Sequence, residues 1–435
     1  MKYLKIFTLN IALFAFLFGC EEQLMISPQT SIAPSELGQQ EVPQMLNGIL
    51  HSFQNAPGQA SFIMFDMAGG NTETDWDEYQ EISENRIDVN NDLVRQNWDG
   101  LFEGLYRTNL LLERLAELDD NASNSEAKGV AHYFRAYTYY NLVTRWGDVP
   151  IIKENTREKV ARDSEQDVWA FIEEELQQAI SLAPPASGTS SYYYVSREAA
   201  EALMARVALA RENWSQGESL AEGLINSGMY SLEDDYSAIF EKENTNTETI
   251  FALRNMMGEG NTIGRLFVDY GWPTVGSDVL EAPQDLLDTY ENDSLRYKET
   301  FIMFDDEPMC TKYLGGAQGG DHIIISRIAE MYLISAEAKA RLMDIPGGLD
   351  RLNELRQQRG LDDLDISDMD QFMEAVLRER RTELVYEGFR FYDLVRTNRA
   401  IDEVPTITAE YQKLFPIPQR ELNLNENLQP QNMGY

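Results

Sequence analysis

Three glutamates near the C-terminus have a spacing at which carboxylates could act together. Glu379, Glu383 and Glu387 follow one another every four residues, which places them on one face of a helix. Paired carboxylates can hydrolyse a glycosidic bond, one as the acid and the other as base or nucleophile. Such a row also repels itself unless cations lie opposite, and Arg390 and Arg396 are suited to that part. The sequence therefore favours a structural network of ion pairs over a catalytic pair.

The other residues capable of catalysis form no recognisable site. There are only three histidines, and His132 lies among apolar and aromatic residues of a strong helical pattern, which favours a packed side chain. No cysteine–histidine cluster has metal-ligand spacing, and no phosphate-binding glycine loop follows a predicted strand. Carboxylate pairs carry no weight, because a chain with 73 acidic residues always offers some. The sequence therefore predicts no catalytic residue, metal site or cofactor.

An irregular, acidic segment at residues 66–85 is a better candidate for function, because loops on a rigid scaffold often carry binding residues. An aromatic side chain offers a flat apolar surface to a ligand, while polar side chains beside it offer hydrogen bonds. The segment contains no lysine or arginine, which disfavours an anionic ligand. The predicted ligand-binding residues here are Asn71, Asp75, Trp76, Asp77 and Tyr79.

A second irregular segment, residues 241–320, mixes glycine, proline and aromatic residues. Its predicted ligand-binding residues are Arg254, Phe267, Tyr270 and Trp272. For each aromatic candidate the alternative is burial against the helical scaffold. Three consecutive tyrosines, Tyr192–Tyr194, precede a predicted helix and are expected to pack at its start. Four tryptophans in or beside predicted helices are expected in the core: Trp98, Trp146, Trp169 and Trp214.

The N-terminus has the pattern of a lipoprotein export signal. Lys2 and Lys5 precede an apolar run, residues 6–18, that is too short to span a bilayer. A small residue, Gly19, directly before Cys20 is what lipoprotein signal cleavage needs, and the Cys20 thiol would then take the lipid. A plain signal peptide that happens to contain a cysteine is the alternative, since Phe18 is larger than the residue usual there.

This pattern predicts the domain organisation. We expect a lipoprotein signal peptide at residues 1–19, a lipidated N-terminus and polar tether at 20–35, and a single domain at 36–435. The net charge is −37, which repels phosphate backbones and makes nucleic acid an unsuitable partner. The same charge opposes binding flat on an anionic membrane, so the lipid must hold the protein there. Once Cys20 carries lipid, Cys310 has no disulfide partner, and we expect a buried structural thiol.

Helical periodicity dominates the rest of the chain, so the predicted fold class is mostly α. Two helix pairs, at residues 196–226 and 325–361, have the small-residue spacing of tetratricopeptide hairpins, although an ordinary helical bundle would look similar. The predicted helices are 91–118, 126–146, 165–182, 196–213, 215–227, 323–343, 348–359 and 368–387.

An ordered series of sequence blocks resembles the SusD/RagB family of outer-membrane lipoproteins. The series covers nearly the whole mature chain and is highly specific. The terminal block usually contains a proline where this chain has Met433, which is a local departure. The blocks are residues 98–109, 127–150, 327–338, 352–356, 379–396, 414–418 and 431–435.

The resemblance implies a SusD-like fold, in which tetratricopeptide-type helix pairs support irregular ligand-binding loops. Family members commonly place ligand aromatics in the central irregular region. The resemblance also implies a binding protein without enzymatic activity, exposed at the cell surface and anchored by lipid to the outer membrane. Glu21 and Glu22, directly after Cys20, are similar to the acidic signal that sends such lipoproteins to the surface. The implied partner is a SusC-like TonB-dependent transporter, which the lipoprotein would close like a lid after capturing a glycan.

Two alternatives stay open. The cargo could be a peptide, as RagB-type relatives suggest, which would favour a large cavity shared with the transporter. A surface glycosidase is the weaker alternative, and it would require turnover of a bound oligosaccharide that a single carboxylate substitution abolishes.

Overall fold

The computed structural model describes residues 37–55, 58–241, 246–258, 263–267, 280–290, 292–304, 307–315 and 319–435. Its contacts divide the chain into two units, Met1–Pro43 and Gln44–Tyr435. In the first unit, Gln39–Glu41 form one turn of 3-10 helix. The predicted signal peptide, Cys20 and the tether lie outside the described residues, so the domain boundaries stay predictions.

The described chain is mostly helical, which confirms the predicted fold class. Within the described ranges, every helix is too short or too polar to cross a membrane. The α-helices are α1 (Val42–Asn55), α2 (Gly58–Ala68), α3 (Asp77–Ser83), α4 (Asp92–Glu117), α5 (Ala122–Trp146), α6 (Glu165–Leu182), α7 (Arg197–Ala210), α8 (Trp214–Ile225), α9 (Gln284–Asp288), α10 (Ser294–Thr300), α11 (Ile328–Arg341), α12 (Ile345–Gln358), α13 (Met369–Glu383), α14 (Arg390–Arg396), α15 (Ala400–Glu403) and α16 (Gln419–Leu424).

Helix ends follow the local chemistry of the capping residues. Asn91 caps α4, because its side-chain oxygen accepts hydrogen bonds from the backbone N–H groups two and three residues later, at 3.0 and 3.1 Å. Ser196 caps α7 in the same way, accepting from the Ala199 N–H at 3.1 Å. Gly147 ends α5 with a φ of +69°, a conformation that few residues other than glycine adopt without strain.

Two helices differ from the sequence prediction for a physical reason. The described side chains of α2, from Ser61 to Ala68, are all buried, so the helix has no polar face to give the sequence a period. The amphipathic α1 lies next to the segment interpreted as a tether, and it is absent from the predicted helices. Helix α2 leads directly to the first candidate loop.

Four strands form two small antiparallel sheets within the described chain, in which β1 pairs with β4 and β2 pairs with β3. The prediction of one helix over residues 323–343 is wrong at its start, because the first five residues are a strand. A short apolar run bearing three isoleucines fits a buried strand as well as a helix. The strands are β1 (Thr249–Leu253), β2 (Phe301–Phe304), β3 (Glu307–Cys310) and β4 (Ile323–Arg327).

The predicted helix pairs form hairpins. A short link carrying Glu212 at φ +58° joins α7 to α8, and one carrying Met343 at φ +70° joins α11 to α12. Helix α8 packs on both α7 and α11, so the two hairpins are neighbours. Gly348 in α12 allows close approach, since a Cβ there would lie 2.5 Å from the Ala336 carbonyl oxygen. This stack, extended through α4, α5 and α6, is the scaffold that carries the irregular segments.

Candidate functional site

The carboxylate row is buried and paired. The Glu383 carboxylate contacts three arginines: Arg296 at 2.7 Å, Arg327 at 2.6 Å and Arg359 at 2.9 Å. Burial alone would raise the pKa of Glu383, but these three charges hold it well below its usual range. A buried carboxylate that three arginines hold in its ionised form is poorly suited to exchange a proton with a substrate. The interpretation as a structural ion-pair network is therefore favoured over a catalytic pair.

The predicted partners of that row are wrong. Glu379 pairs with Arg356 at 2.8 Å, and Glu387 pairs with Lys312 and Arg327, both at 2.8 Å. The chain turns at Gly388, with φ +81°, and directs the two predicted arginines elsewhere. Those arginines contact other carboxylates at 2.7 and 2.8 Å, in the pairs Arg390–Glu403 and Arg396–Glu337.

Two other reactive side chains are packed into the scaffold. His132 contacts Glu175 through Nδ1 at 2.7 Å, and Arg135 holds the same carboxylate. Cys310 is buried, and burial raises the pKa of its thiol to about 12, as expected of a structural cysteine. Among the described residues, no group of histidine, cysteine and acidic side chains is arranged to hold a metal ion.

The first candidate loop presents an exposed indole. Trp76 precedes α3 and leaves 51% of its surface open to solvent, although most tryptophans are largely buried. Asp75 and Asp77 on either side are also exposed, and Tyr79 is half-buried. Asp77 lies in the first turn of α3, where a negative charge stabilises the helix dipole. These four residues form an aromatic surface with carboxylate acceptors beside it, which we call the Trp76 surface.

Asn71 differs from the other four predictions in this loop, because it is completely buried. Its amide donates a hydrogen bond to the Asp66 carboxylate at 2.8 Å, and its oxygen accepts one from Arg381 at 2.9 Å. Expecting Asn71 to contact a ligand directly is therefore wrong for this conformation, in which it supports the loop from below.

The two irregular segments meet at their backbones. Glu73 and Glu281 form an antiparallel bridge in which each N–H donates to the other carbonyl at 2.9 Å. Tyr79 lies near Arg265, whose charge lowers the tyrosine pKa against the larger raising effect of burial. Sequence spacing could not reveal this meeting, because the bridge joins residues about 200 positions apart.

The two predicted residues of the second segment that the structure describes, Phe267 and Arg254, have different aromatic neighbours. Phe267 is 2% exposed and packs on Tyr313 and Tyr386, at ring-centroid distances of 5.9 and 4.7 Å. Its ring therefore belongs to the scaffold, which corrects the expectation of an accessible platform. Tyr270 and Trp272 lie outside the described residues.

Arg254 belongs to a separate aromatic cluster. Its guanidinium lies 5.7 Å from the ring centre of Tyr193, which also packs against His322 at 4.8 Å. The tyrosine triplet, expected only to pack at a helix start, also joins β1, because the Tyr192 carbonyl accepts from the Ala252 N–H. Tyr194 is exposed. The three consecutive tyrosines are the sequence signal for this cluster.

The predicted core tryptophans are largely confirmed. Trp98, Trp146 and Trp169 are buried, and Trp214 is half-buried beneath the Arg341 guanidinium at 5.3 Å. Trp76 is thus the exposed tryptophan of the described chain, and the others support helices.

A cavity of about 530 Å³ lies elsewhere, between the region of α9 and α10 and that of α12 and α13. Charges of both signs line it, including Arg356, Arg378 and Glu374, beside apolar side chains such as Leu364. None of its described lining residues is aromatic, so it offers no ring on which a sugar could stack.

Comparison with known proteins places this architecture in a family. A family model for starch-binding proteins associating with the outer membrane matches residues 26–209, and the SusD family model matches residues 157–435. A SusD-like protein from Formosa agariphila is 23% identical, with the match covering 100% of this chain and 99% of that protein.

Solved structures share the fold. A laminarin-binding SusD-like protein is 22% identical, with a TM-score of 0.79 over 92% of this chain and 100% of the other. Surface glycan-binding protein A from Bacteroides fluxus is 20% identical, with a TM-score of 0.79 over 91% of this chain and 99% of the other. Since the SusD model alone matches more than half of the sequence, the chain belongs to the SusD/RagB family.

Proposed function

We propose that this protein captures a glycan at the cell surface and delivers it to a SusC-like TonB-dependent transporter. The observation that carries the proposal is the Trp76 surface, an exposed indole between two exposed carboxylates on a loop attached to a rigid helical scaffold. The indole would take the C–H face of a sugar ring, and the carboxylates of Asp75 and Asp77 would accept hydrogen bonds from its hydroxyls.

The negative charge of the Trp76 surface favours neutral glycans over anionic ones. Residues 66–85 contain no lysine or arginine, and two carboxylates flank the indole, so an anionic sugar would meet repulsion. A neutral oligosaccharide is the ligand class that fits. The laminarin-binding and surface glycan-binding proteins of the same fold support a glycan as the ligand.

Binding without turnover is the proposed activity. The carboxylate row that could suggest a glycosidase is paired with buried arginines, and the exposed carboxylates at Trp76 belong to no metal-holding group within the described chain. Attachment to the outer membrane through lipid on Cys20 would keep captured glycan beside the transporter, in agreement with the family model for proteins associating with that membrane.

Peptide cargo is the second candidate function. The cavity lined by Arg356, Arg378 and Glu374 has charges of both signs beside apolar walls, a combination that suits a peptide better than a neutral sugar. This cavity and the Trp76 surface would favour different cargo.

The test is calorimetric titration of the mature lipoprotein in detergent micelles against neutral oligosaccharides, anionic oligosaccharides and short peptides. We expect saturable binding of a neutral oligosaccharide without release of hydrolysis products. Binding of peptides alone would support the second candidate, and product release would establish an enzyme. Co-purification from outer membranes tests the transporter, since a TonB-dependent barrel should accompany the lipoprotein.

A further inference from the structure

We propose that Arg381 is the positioning residue of the Trp76 surface, holding both irregular segments in place without touching the ligand. The claim about ligand affinity rests on the proposed function, whereas the claim about loop order does not. We call the four side chains involved the Arg381 clamp: Asp66, Asn71, Asp285 and Arg381.

One guanidinium connects three backbone segments. Arg381 lies on α13, donates from Nε to the Asn71 side-chain oxygen at 2.9 Å, and donates from Nη2 to the Gly70 carbonyl at 3.0 Å. The same Nη2 reaches the Asp285 carboxylate of α9 at 2.8 Å. The start of the first loop and the helix that follows the second segment's bridge are therefore fixed to the same side chain.

A second layer holds Asn71 in turn. Asp66 accepts from the Asn71 amide at 2.8 Å, from the Tyr386 N–H at 2.9 Å and from the Gly388 N–H at 2.8 Å. Asp66 is completely buried, so each of these hydrogen bonds is protected from competition with water. Arg381 thus acts on a loop whose base is already connected to the turn after α13.

The geometry requires arginine. Its planar guanidinium carries several donors in a fixed arrangement, whereas a lysine ammonium is a point charge on a flexible stem. Lysine at position 381 could reach the Asn71 oxygen or the Asp285 carboxylate, but it would not make the contacts of Nε and Nη2 together. The contact of Arg381 with Asp285 is the weaker side of the clamp. The Asp285 side chain is 69% exposed, compared with 11% for Arg381, so solvent screens this ion pair.

The clamp matters for binding because Trp76 lies five residues after Asn71, on the loop that the clamp begins. A loop that is already ordered loses less conformational entropy when a ligand binds. Its contacts are distinct from the ion pairs of Glu383, so loss of the clamp should loosen the site more than the fold.

Hydrogen exchange followed by mass spectrometry tests the proposal on the mature lipoprotein and its Arg381→Ala variant. We expect amide exchange in residues 70–79 and 281–288 to rise at least about tenfold, with no change in α11 and α12. Neutral-oligosaccharide affinity should fall at least about fivefold, and Arg381→Lys should restore it only in part. Combining Arg381→Ala with Trp76→Ala should weaken binding no further than Trp76→Ala alone.

The matched control is Arg378→Ala, one turn away on α13. Arg378 is exposed and donates one hydrogen bond, to the Thr289 carbonyl at 3.1 Å, so its loss should leave residues 70–79 unchanged. If Arg381→Ala fails to fold, Asp285→Ala removes the exposed contact alone, and faster exchange should then appear in residues 281–288.

Unchanged exchange at residues 70–79 in a folded Arg381→Ala variant would overturn the proposal, whatever the ligand results. A loosened loop with unchanged glycan affinity would overturn the claim that the clamp sets affinity. A loosened loop in a protein whose parent binds no glycan would instead refute the proposed function and uphold the positioning role.

Discussion

Two buried carboxyl groups near the same turn have pKa shifts of opposite sign. Glu383 contacts three arginines, which overcome the desolvation penalty and hold its pKa well below the usual range. Asp66 is surrounded mainly by neutral donors, so burial raises its pKa to about 6 against the hydrogen bonds from Asn71, Tyr386 and Gly388 and the charge of Lys312. The two shifts differ because three arginine charges face Glu383, whereas mainly neutral donors face Asp66.

This difference predicts a pH dependence for Asp66. The folded pKa of about 6 exceeds the ordinary value of 3.8, so between these values the folded protein binds more protons than the unfolded chain. Stability contributed by this group therefore falls as pH rises, by about 3 kcal/mol in total. Urea titrations of the parent and of Asp66→Asn measure this effect. The parent's free energy of unfolding minus that of the variant should decline as pH rises from about 4 to about 6. A difference that is constant with pH would show that Asp66 does not titrate in this range.

At the same scale, the sequence predicts the exposure of loop residues better than it predicts the buried residues that support the loop. Trp76, Asp75 and Asp77 are recognisable because an aromatic residue among acids in a polar loop has few structural uses. Asn71 is mistaken for a ligand contact because nothing local shows that Asp66 and Arg381 enclose it. The support from Arg381 joins residues about 310 positions apart, and such a contact depends on tertiary packing that spacing does not encode.

Among the elements, helix α6 is predicted from its cap and its polar face, whereas strand β4 and helix α2 are not predicted as such. The bounds of α6 match the prediction because Ser164 caps its start and its apolar residues recur with a helical period. Strand β4 and helix α2 lie inside the protein, where apolar sequence carries no period that distinguishes one element from another.

Glycine-to-alanine substitutions at Gly348 and Gly223 should have opposite effects on stability, because only Gly348 is closely packed. Gly348→Ala would place a Cβ 2.5 Å from the Ala336 carbonyl oxygen, so we expect a loss of about 1–3 kcal/mol in the free energy of unfolding. At Gly223 in α8, an added Cβ would have no neighbouring atom within 4 Å, so Gly223→Ala should stabilise by about 0.5–1 kcal/mol. Urea denaturation measures both. Equal effects at the two glycines would contradict the packing of this hairpin.

For the whole molecule, the strong negative charge determines how the protein can attach to a membrane. A net charge of −37 repels the protein from anionic lipid, so we propose that attachment to the outer membrane depends on a lipid at Cys20. Cys20→Ser should therefore abolish incorporation of radiolabelled fatty acid and move the protein out of the outer-membrane fraction. Cys310→Ser is the control, because that thiol is buried and should leave lipid incorporation unchanged. Retention of label in Cys20→Ser would place the lipid elsewhere.

The central claim is that a neutral glycan binds at Trp76, and the most direct measurement compares two exposed aromatic residues. Trp76 and Tyr106 are both 51% exposed, but Tyr106 lies within helix α4 and outside both candidate loops. Calorimetric titration with the oligosaccharide that binds the parent should show at least about a tenfold loss of affinity in Trp76→Ala, which is ~1.4 kcal/mol, and parental affinity in Tyr106→Ala. Equal affinity of parent and Trp76→Ala would contradict the account.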